Sequence, residues 1–277
     1  MHQVNIDFYD DDEFNYDDLE SETSLKSNSF AIAGTAGSYA LEQNQKVNKK
    51  VELPAKSTVR SDNLDGSGSA LRDGELNIIM PDRYIITGQS ESGKSTCIRW
   101  LIMQLCTKFP VANIWWFGKN AHEEIWLPEK YRLPRISKTR IDNIRKLQKK
   151  FALRYHQIIV LDDIIGEDFH GKDKIWYSDF IATSRHELIT VICGIQYLKA
   201  LNPCFRDNIQ KYIVCDANNT TLDLLYTFCT NKNMNKRQWF QSFNFIKGKP
   251  VCISTVSGTK NLTRITVPNI TAKDIKY

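Results

Sequence analysis

The sequence predicts an α/β fold built on a mainly parallel, doubly wound sheet. Three observations lead to this prediction. Short apolar runs alternate with segments in which apolar residues recur at helical spacing. The run at residues 158–161 is apolar throughout, as parallel strands buried on both faces require. A glycine-rich turn joins the first strand to the first helix. Alternation of strands and helices favours crossover connections and therefore parallel pairing.

The predicted elements follow one another through the body of the chain. Strands are predicted at residues 83–87, 113–117, 158–161, 188–195 and 211–215. Helices are predicted at residues 94–109, 139–155, 174–187 and 221–229. Residues 202–208 are predicted to be a loop, and residues 250–256 and 262–267 a hairpin. The basic and aromatic segment at residues 232–240 is interpreted as a cover for the sheet, while contact with DNA or with a neighbouring subunit stays open. Pro110 ends the first helix, because proline cannot continue a helical hydrogen-bond ladder.

The charge is distributed unevenly between the start of the chain and its body. Residues 1–25 hold nine acidic residues and no Lys or Arg. The rest of the chain therefore holds 37 basic and 23 acidic residues. We predict a poorly ordered arm at residues 1–72, because its acidic and then polar composition buries too little apolar surface. Residues 73–277 are predicted to form one domain, with its core at about 80–216 and helices and a hairpin at 217–277. The basic body suits a polyanionic partner, although an ordinary lysine-rich surface stays open.

The seven cysteines are scattered and include no CxxC pair, which argues against a disulfide scaffold or a zinc site and favours a reducing compartment. The start of the chain lacks the basic and apolar regions of a signal peptide. No apolar stretch reaches the roughly 18 residues that a membrane span needs. The expected protein is soluble and intracellular.

A phosphate-binding loop is the most specific motif in the sequence. The pattern G-x-x-x-x-G-K-[ST], the Walker A motif of P-loop NTPases, is matched without exception by Gly88, Gln89, Ser90, Glu91, Ser92, Gly93, Lys94 and Ser95. In its place between strand and helix, such a loop directs backbone amides at an anion near a helix N-terminus. We predict that residues 88–96, which end at Thr96, bind ATP, with Lys94 on the β- and γ-phosphates and Ser95 on Mg²⁺.

Two carboxylates follow the third strand directly, in the Walker B arrangement. Asp162 is predicted to hold Mg²⁺ opposite Ser95. Asp163 is the candidate base that polarises the attacking water, because a base must lie within hydrogen-bond reach of that water. Glu167 is the alternative for this role.

Three further residues are candidates for sensing or stabilising the γ-phosphate. Gln196 ends the fourth strand and is predicted to be a sensor, which requires that strand to lie between the Walker A and Walker B strands. An arginine offered to a neighbouring subunit's γ-phosphate would stabilise the transition state. Arg206 is the first candidate for this role and Arg185 the second. His186 is interpreted as structural.

One predicted helix carries a basic stripe opposite its apolar side. Its members are Arg140, Arg145, Lys146, Lys149, Lys150 and Arg154. The stripe could meet DNA phosphates, in contacts that do not depend on base sequence. A solvated helix face is the more common meaning of such a stripe and stays open.

Taken in order, four segments resemble the poxvirus-type DNA-packaging ATPases of the FtsK–HerA superfamily: GQSESGKS, IIVLDD, TSRHELITVICGIQ and LNPCFRDNI. The resemblance covers residues of about 80–216. It implies an ATP- and Mg²⁺-dependent ring, expected to be a hexamer, that drives double-stranded DNA into a preformed capsid and meets a capsid or portal-vertex protein. It places the protein in the host cytoplasm or the viral replication factory, or in the virion. Asp163 departs from the family pattern, since many members have Glu there.

Two other functions remain open on the sequence alone. A nucleotide or small-molecule kinase would also bind ATP, but no arginine-rich lid follows the loop, and Asp162-Asp163 with Gln196 suits hydrolysis better. A non-hydrolysing, nucleotide-gated assembly protein would keep its function in a Lys94→Ala variant. ATPase activity that double-stranded DNA stimulates would favour the motor over both.

Overall fold

The computed structural model describes residues 31–32, 71–150, 155–163, 174–201, 203–229, 235–243, 245–246, 248–255 and 262–276. The strands are β1 (Ala31–Ile32), β2 (Leu71–Asp73), β3 (Arg83–Thr87), β4 (Val111–Phe117), β5 (Arg132–Leu133), β6 (His156–Asp162), β7 (Ile189–Ile195), β8 (Lys211–Val214), β9 (Val251–Ser254), β10 (Leu262–Arg264) and β11 (Ile275–Lys276). The helices are α1 (Lys94–Lys108), α2 (Lys138–Lys150), α3 (Lys174–Thr183), α4 (Pro203–Asp207), α5 (Asn219–Cys229) and α6 (Lys236–Ser242).

Nine strands form one twisted sheet in the order β2-β10-β9-β8-β3-β7-β6-β4-β5. The five central strands β8, β3, β7, β6 and β4 pair in parallel, and β5 continues this pattern at the edge. Only β9 pairs antiparallel with its neighbours among the described strands of this sheet. The predicted mainly parallel α/β sheet is therefore confirmed. The fourth predicted strand, now β7, lies between β3 and β6 as the sensor prediction required.

Alternate side chains of the central strands enter two separate cores. In β6, Ile159 and Leu161 point to one core, and Ile158 and Val160 to the other. The first core is covered by α2, α3, α4, α5 and α6, while α1 and the segment after β10 cover the second. Both faces of the sheet are thus buried, which explains why residues 158–161 are apolar without alternation.

Trp239 of α6 anchors the basic and aromatic segment near the end of the chain. Its side chain is 1% exposed, and its indole Nε1 donates to the carbonyl of Leu222 in α5 at 2.9 Å. Its ring lies 5.9 Å from that of Tyr226 and 4.9 Å from that of Phe243. The segment therefore packs on α5 within the helical layer of the first core, in agreement with the interpretation that it covers the sheet.

Several element boundaries differ from the prediction. The predicted loop at 202–208 contains helix α4, which begins at Pro203. Proline suits a first helical position, because the amide it lacks has no partner there. Helix α2 ends at Lys150, and Tyr155 lies outside it, although the prediction continued that helix to 155. The last residues of the predicted helix at 174–187 form a 3₁₀ turn, Ser184–Glu187, that follows α3.

The N-terminal segment reaches the folded body at two described places. Strand β1 pairs antiparallel with β11, and β2 pairs in parallel with β10. The sheet therefore begins at Leu71, two residues before the predicted domain boundary at 73. The remainder of the predicted arm lies outside the described residues. Among the helices that the structure describes, none has both the length and the hydropathy of a membrane span.

Candidate functional site

The loop between β3 and α1 has the backbone that the Walker A motif requires. Gly93, the N-cap of α1, has φ 90, and Glu91 has φ 62. These left-handed torsions suit a residue without a Cβ at position 93. Gly88 is needed for a different reason. A Cβ on it would lie 2.3 Å from Ser92 Oγ, so the loop closes tightly only around glycine.

The loop offers several polar groups that an anion could satisfy. Lys94 is 8% exposed, and its Nζ donates to the carbonyl oxygens of Gly88 at 3.0 Å and Gln89 at 2.8 Å. The hydroxyls of Thr87 and Ser92 are buried and find no hydrogen-bond partner within the described part of the chain. Buried hydroxyls without partners are uncommon in folded proteins, and phosphate oxygens would accept from them. The loop is therefore fitted to a polyphosphate.

The carboxylate of Asp162 lies over the neighbouring strand, where only glycine leaves room for it. Asp162 pairs in register with Gly194 of β7. A Cβ on Gly194 would lie 2.4 Å from Asp162 Oδ1 and 2.9 Å from Ile98 Cδ1. On the other side, a Cβ on Gly118 would lie 2.4 Å from the carbonyl oxygen of Asp162. Neither glycine was predicted as part of the site, although Gly194 lies inside an apolar strand, where a glycine indicates a close approach.

The surroundings of Asp162 favour a bound cation. Burial, followed by the negative charges of Glu124 and Asp163, raises the pKa of Asp162 to about 6, while Lys94 and Arg99 oppose the shift. A divalent cation would offset this repulsion, and carboxylate and hydroxyl oxygens are ligands that Mg²⁺ accepts. Ser95, in the first turn of α1, would supply the hydroxyl. The donor set therefore fits Mg²⁺.

An ion pair close to Asp162 was not predicted from the sequence. Arg99 of α1 binds both carboxylate oxygens of Glu124, at 2.6 Å and 2.9 Å. Glu124 is 2% exposed and also accepts from Trp126 Nε1 at 2.7 Å. This pair ties the helix that follows the phosphate loop to the turn that follows β4. The two partners are 25 residues apart, so no pattern within one helix or strand predicts the pair.

Asp163 and Gln196 are brought together by the pairing of β6 and β7. Gln196 Nε2 donates to Asp163 Oδ1 at 2.9 Å. The backbone of Asp163 has φ 51, and its amide donates to the carbonyl of Gly194 at 2.9 Å. This contact turns the Asp163 side chain toward the end of β7. Glu167, the alternative base, lies outside the described residues.

The two candidate arginines lie at the opposite edge of the sheet from the phosphate loop. Arg206 is in α4, before β8, and Arg185 is in the 3₁₀ turn before β7. The guanidinium of Arg206 stacks 4.1 Å above the ring of Phe228, and Arg185 is exposed. A seven-residue strand such as β7 is roughly 20 Å long. Neither arginine therefore reaches the loop of its own subunit.

The basic stripe on α2 is only partly available to a ligand. Arg145 binds Glu187 through two contacts, at 2.7 Å and 2.9 Å. The lysines at 146, 149 and 150 are exposed, whereas Arg140 is half-buried. Arg154 lies outside the described residues.

Taken together, the loop, the strand order β3-β7-β6 and the carboxylate of Asp162 define the chain as a P-loop NTPase. Residues 75–256, about two thirds of the chain, match the family model described as poxvirus A32 protein. The chain therefore belongs to the poxvirus A32 protein family, a family of packaging ATPases, and the resemblance noted in the sequence is confirmed. No curated protein matches the chain significantly.

Several solved structures have a similar fold. The genome packaging NTPase B204 of Sulfolobus turreted icosahedral virus 2, in complex with ATP-γ-S, is 12% identical with a TM-score of 0.49, over 68% of this chain and 100% of that chain. EssC (ATPases 2 and 3) from Geobacillus thermodenitrificans is 14% identical with a TM-score of 0.48, over 69% and 40%. The conjugation coupling protein TcpA of pCW3 is 15% identical with a TM-score of 0.45, over 68% and 61%. With scores below 0.5, these similarities carry no functional argument.

Proposed function

We propose that this protein is a ring-forming motor that hydrolyses ATP to move double-stranded DNA into a viral capsid. One observation carries the proposal. The parallel order β3-β7-β6 brings the phosphate loop, Gln196 and the pair Asp162-Asp163 to one edge of the sheet. Ligands of open parallel sheets bind at the carboxyl ends of the strands. Membership of the A32 family supports packaging as the purpose of the hydrolysis.

At this edge each group has a separate task. Backbone amides of residues 88–95 bind the phosphates of ATP, and Lys94 leaves the carbonyls of Gly88 and Gln89 to neutralise the β- and γ-phosphates. Ser95 and Asp162 would hold Mg²⁺, which would neutralise the charge that develops on the phosphate oxygens. Electrostatic stabilisation of this kind is usually the largest contribution to phosphoryl transfer.

Asp163 orients the attacking water and accepts its proton. Its carboxylate already holds the amide of Gln196 at 2.9 Å, which fixes its direction. Gln196 in turn joins the water site to β7, the strand between the two phosphate-binding elements. A general base contributes on the order of 10²–10⁴ in rate when it is placed in this way.

The site is completed by an arginine from the next subunit, either Arg206 or Arg185. Both lie at the edge of the sheet where their own loop is out of reach, so each can serve only a neighbour's γ-phosphate. An arginine supplied in trans is worth about 10³–10⁵ in turnover in related phosphoryl transfers. A closed ring, expected to be a hexamer, would supply one to every site.

DNA is contacted through phosphates by the exposed lysines of α2. Lys146, Lys149 and Lys150 project from this helix, while Arg145 is held by Glu187. Such contacts accept any base sequence, as a packaging motor requires. They also weaken as the salt concentration rises. The capsid or portal-vertex protein is the expected second partner, and the host cytoplasm or the viral replication factory is the expected place of action.

The proposal is tested by ATPase turnover with and without double-stranded DNA at low salt. We expect stimulation that falls steeply with added salt and is absent in Lys94→Ala. The double variant Lys146→Ala, Lys149→Ala should lose stimulation and keep basal turnover. Lys108→Ala, which removes an exposed lysine at the end of α1, is the matched control. Turnover that DNA leaves unchanged at every salt concentration would refute the motor.

A further inference from the structure

We infer that Arg83 is a positioning residue that connects each subunit's phosphate loop to the arginine it offers to its neighbour. Arg83 is the first residue of β3, whose last residue, Thr87, precedes the loop. Its side chain lies at the ends of the strands opposite the phosphate loop, where both candidate arginines also lie. The inference rests on the proposed action of Arg206 or Arg185 in trans.

Arg83 binds the two segments that carry these arginines. Its Nη1 donates to the carbonyls of Ile181 and Ala182, near the end of α3 and just before the turn that contains Arg185. Its Nε donates to Gln210 Oε1 at 3.0 Å, in the segment that follows α4 and Arg206. The guanidinium thus spans both segments from one rigid strand.

The second segment is held firmly in its own right. The backbone amide of Arg83 also donates to Gln210 Oε1, at 3.1 Å, and the amide of Gln210 donates back to the carbonyl of Arg83 at 3.2 Å. Gln210 Nε2 donates to the carbonyl of Asn208 at 2.9 Å, and the amide of Ile209 donates to the carbonyl of Arg206 at 3.1 Å. A displacement of Arg83 is therefore passed to Arg206 through two residues.

The first segment is held at a helix end. The last carbonyls of a helix lack partners in the next turn, and a cation that donates hydrogen bonds to them stabilises that end; here the carbonyl of Ile181 also accepts from Ser184 Oγ at 3.1 Å. Arg83 is 4% exposed and supplies this cation from within the core. Burial, followed by the charge of Arg185, lowers the pKa of Arg83 to about 10. The two cations therefore repel each other, and Arg185 itself is exposed.

This arrangement joins two functions of one subunit. A strand of five residues is too short and too well paired to bend independently at its two ends. A shift of β3 on nucleotide binding would move Arg83, and with it the two segments. The nucleotide bound at one site would thereby determine the position of the arginine that reaches the next site in the ring.

The test mixes full-length variants and measures ATP turnover. Lys94→Ala cannot hydrolyse ATP at its own site but keeps its arginines. Arg83→Lys keeps the buried charge and loses the planar fork that spans both segments. We expect Arg83→Lys alone to bind ATP normally and to lose turnover about tenfold or more, and expect turnover per intact site to recover when Lys94→Ala subunits are added in excess. The matched control is Arg132→Lys, which should keep full turnover. Arg132 lies in the edge strand β5 and donates to the carbonyl of His122.

Two comparisons make the result decisive. Gln210→Met, which removes the acceptor for Arg83 Nε and leaves the contacts of Nη1 with α3 in place, should show a smaller loss with the same recovery. Arg206→Ala and Arg185→Ala are mixed with Lys94→Ala in the same way. If the inactive one of these two recovers turnover and Arg83→Lys does not, the role of Arg83 is overturned and the trans arginine stands. Absence of recovery for every arginine variant would instead overturn the proposed trans action itself. Thermal melting of each variant with ATP confirms that the compared proteins are folded.

Discussion

Gly194→Ala tests whether the position of the Asp162 carboxylate sets the metal site. The new Cβ would lie 2.4 Å from Asp162 Oδ1 and 2.9 Å from Ile98 Cδ1. Ordinary contacts between such atoms need about 3.5 Å or more. Either the carboxylate or the strand must therefore move by about 1 Å, a distance that is large on the scale of metal coordination.

The expected magnitude follows from the cost of overpacking. One extra methyl group in a well-packed interior costs about 1–3 kcal/mol. If the carboxylate yields, this energy appears as weaker Mg²⁺ binding or a higher barrier, a loss of roughly 5- to 150-fold at 1.36 kcal/mol for each factor of ten. If the strand yields instead, the same energy lowers the melting temperature by about 2–4 °C for each kcal/mol. Because β7 is paired on both sides, we expect the carboxylate to yield.

ATP turnover measured against Mg²⁺ concentration distinguishes these outcomes. The variant should need more Mg²⁺ for half-maximal turnover, with a melting temperature close to that of the wild type. Gly74→Ala is the control, since its Cβ would meet only Thr263 Cγ2, at 3.2 Å, far from the site. If the Mg²⁺ dependence of Gly194→Ala equals that of Gly74→Ala, then Asp162 does not hold the metal from the position over Gly194.

Three further predictions follow from single contacts. Gln196→Ala should lower turnover about tenfold with little change in KM for ATP, because it removes the donor that orients Asp163; an equal rise in KM without loss of turnover in steady-state kinetics would contradict this. Burial raises the pKa of Asp162 to about 6, so the folded, nucleotide-free protein binds this proton more tightly than the unfolded chain does, and the contribution to stability is lost as pH rises from about 4 through about 6. Asp162→Asn should accordingly be more stable than the wild type at neutral pH, by on the order of 2–3 kcal/mol, and should lose this advantage near pH 4. Wild-type Mg²⁺-dependent turnover should fall below about pH 6. A stability difference that stays constant across the pH range would rule out this cause. Trp239→Phe should lower the free energy of unfolding in denaturant by about 1–3 kcal/mol, with unchanged turnover at low temperature, since the Leu222 carbonyl loses the indole donor and the smaller ring leaves a gap in the core. A loss of turnover that exceeds the loss of folded protein would place α6 at the site instead.

The phosphate loop and its strand could be predicted because their signals are local. The spacing of Gly88 and Gly93 and the apolar run before them lie within a dozen residues, and β3 has the bounds that the sequence predicted. The position of β7 between β3 and β6 was predicted only through the role given to Gln196. No pattern within β7 itself specifies its neighbours, since a strand buried on both faces is apolar throughout.

The parts that were missed depend on contacts between distant residues or on elements too short for periodicity. The space over Gly194 is filled by a carboxylate from another strand, and the partner of Glu124 lies on a helix 25 residues earlier. Helix α4 has five residues, fewer than two turns, so no apolar stripe identifies it. The placement of Arg206 and Arg185 was within reach, because a residue that precedes a parallel strand must lie opposite the edge where that strand ends.

This polarity constrains how subunits of the proposed motor can associate. The phosphate loop follows β3, whereas the two arginines precede β8 and β7, so the donating and receiving surfaces lie at opposite edges of one sheet. A two-fold interface pairs residue i of one subunit with residue j of the other and j with i, so it could complete both sites but would stop at a dimer. If an arginine acts in trans in a ring of more than two subunits, as proposed, the contact must run head to tail. Head-to-tail contacts close into a ring when the rotation between subunits divides a full turn, and otherwise extend into a filament. A motor that encircles DNA needs the first outcome, so the angle between the arginine edge of one subunit and the nucleotide edge of the next is the quantity that decides the number of subunits.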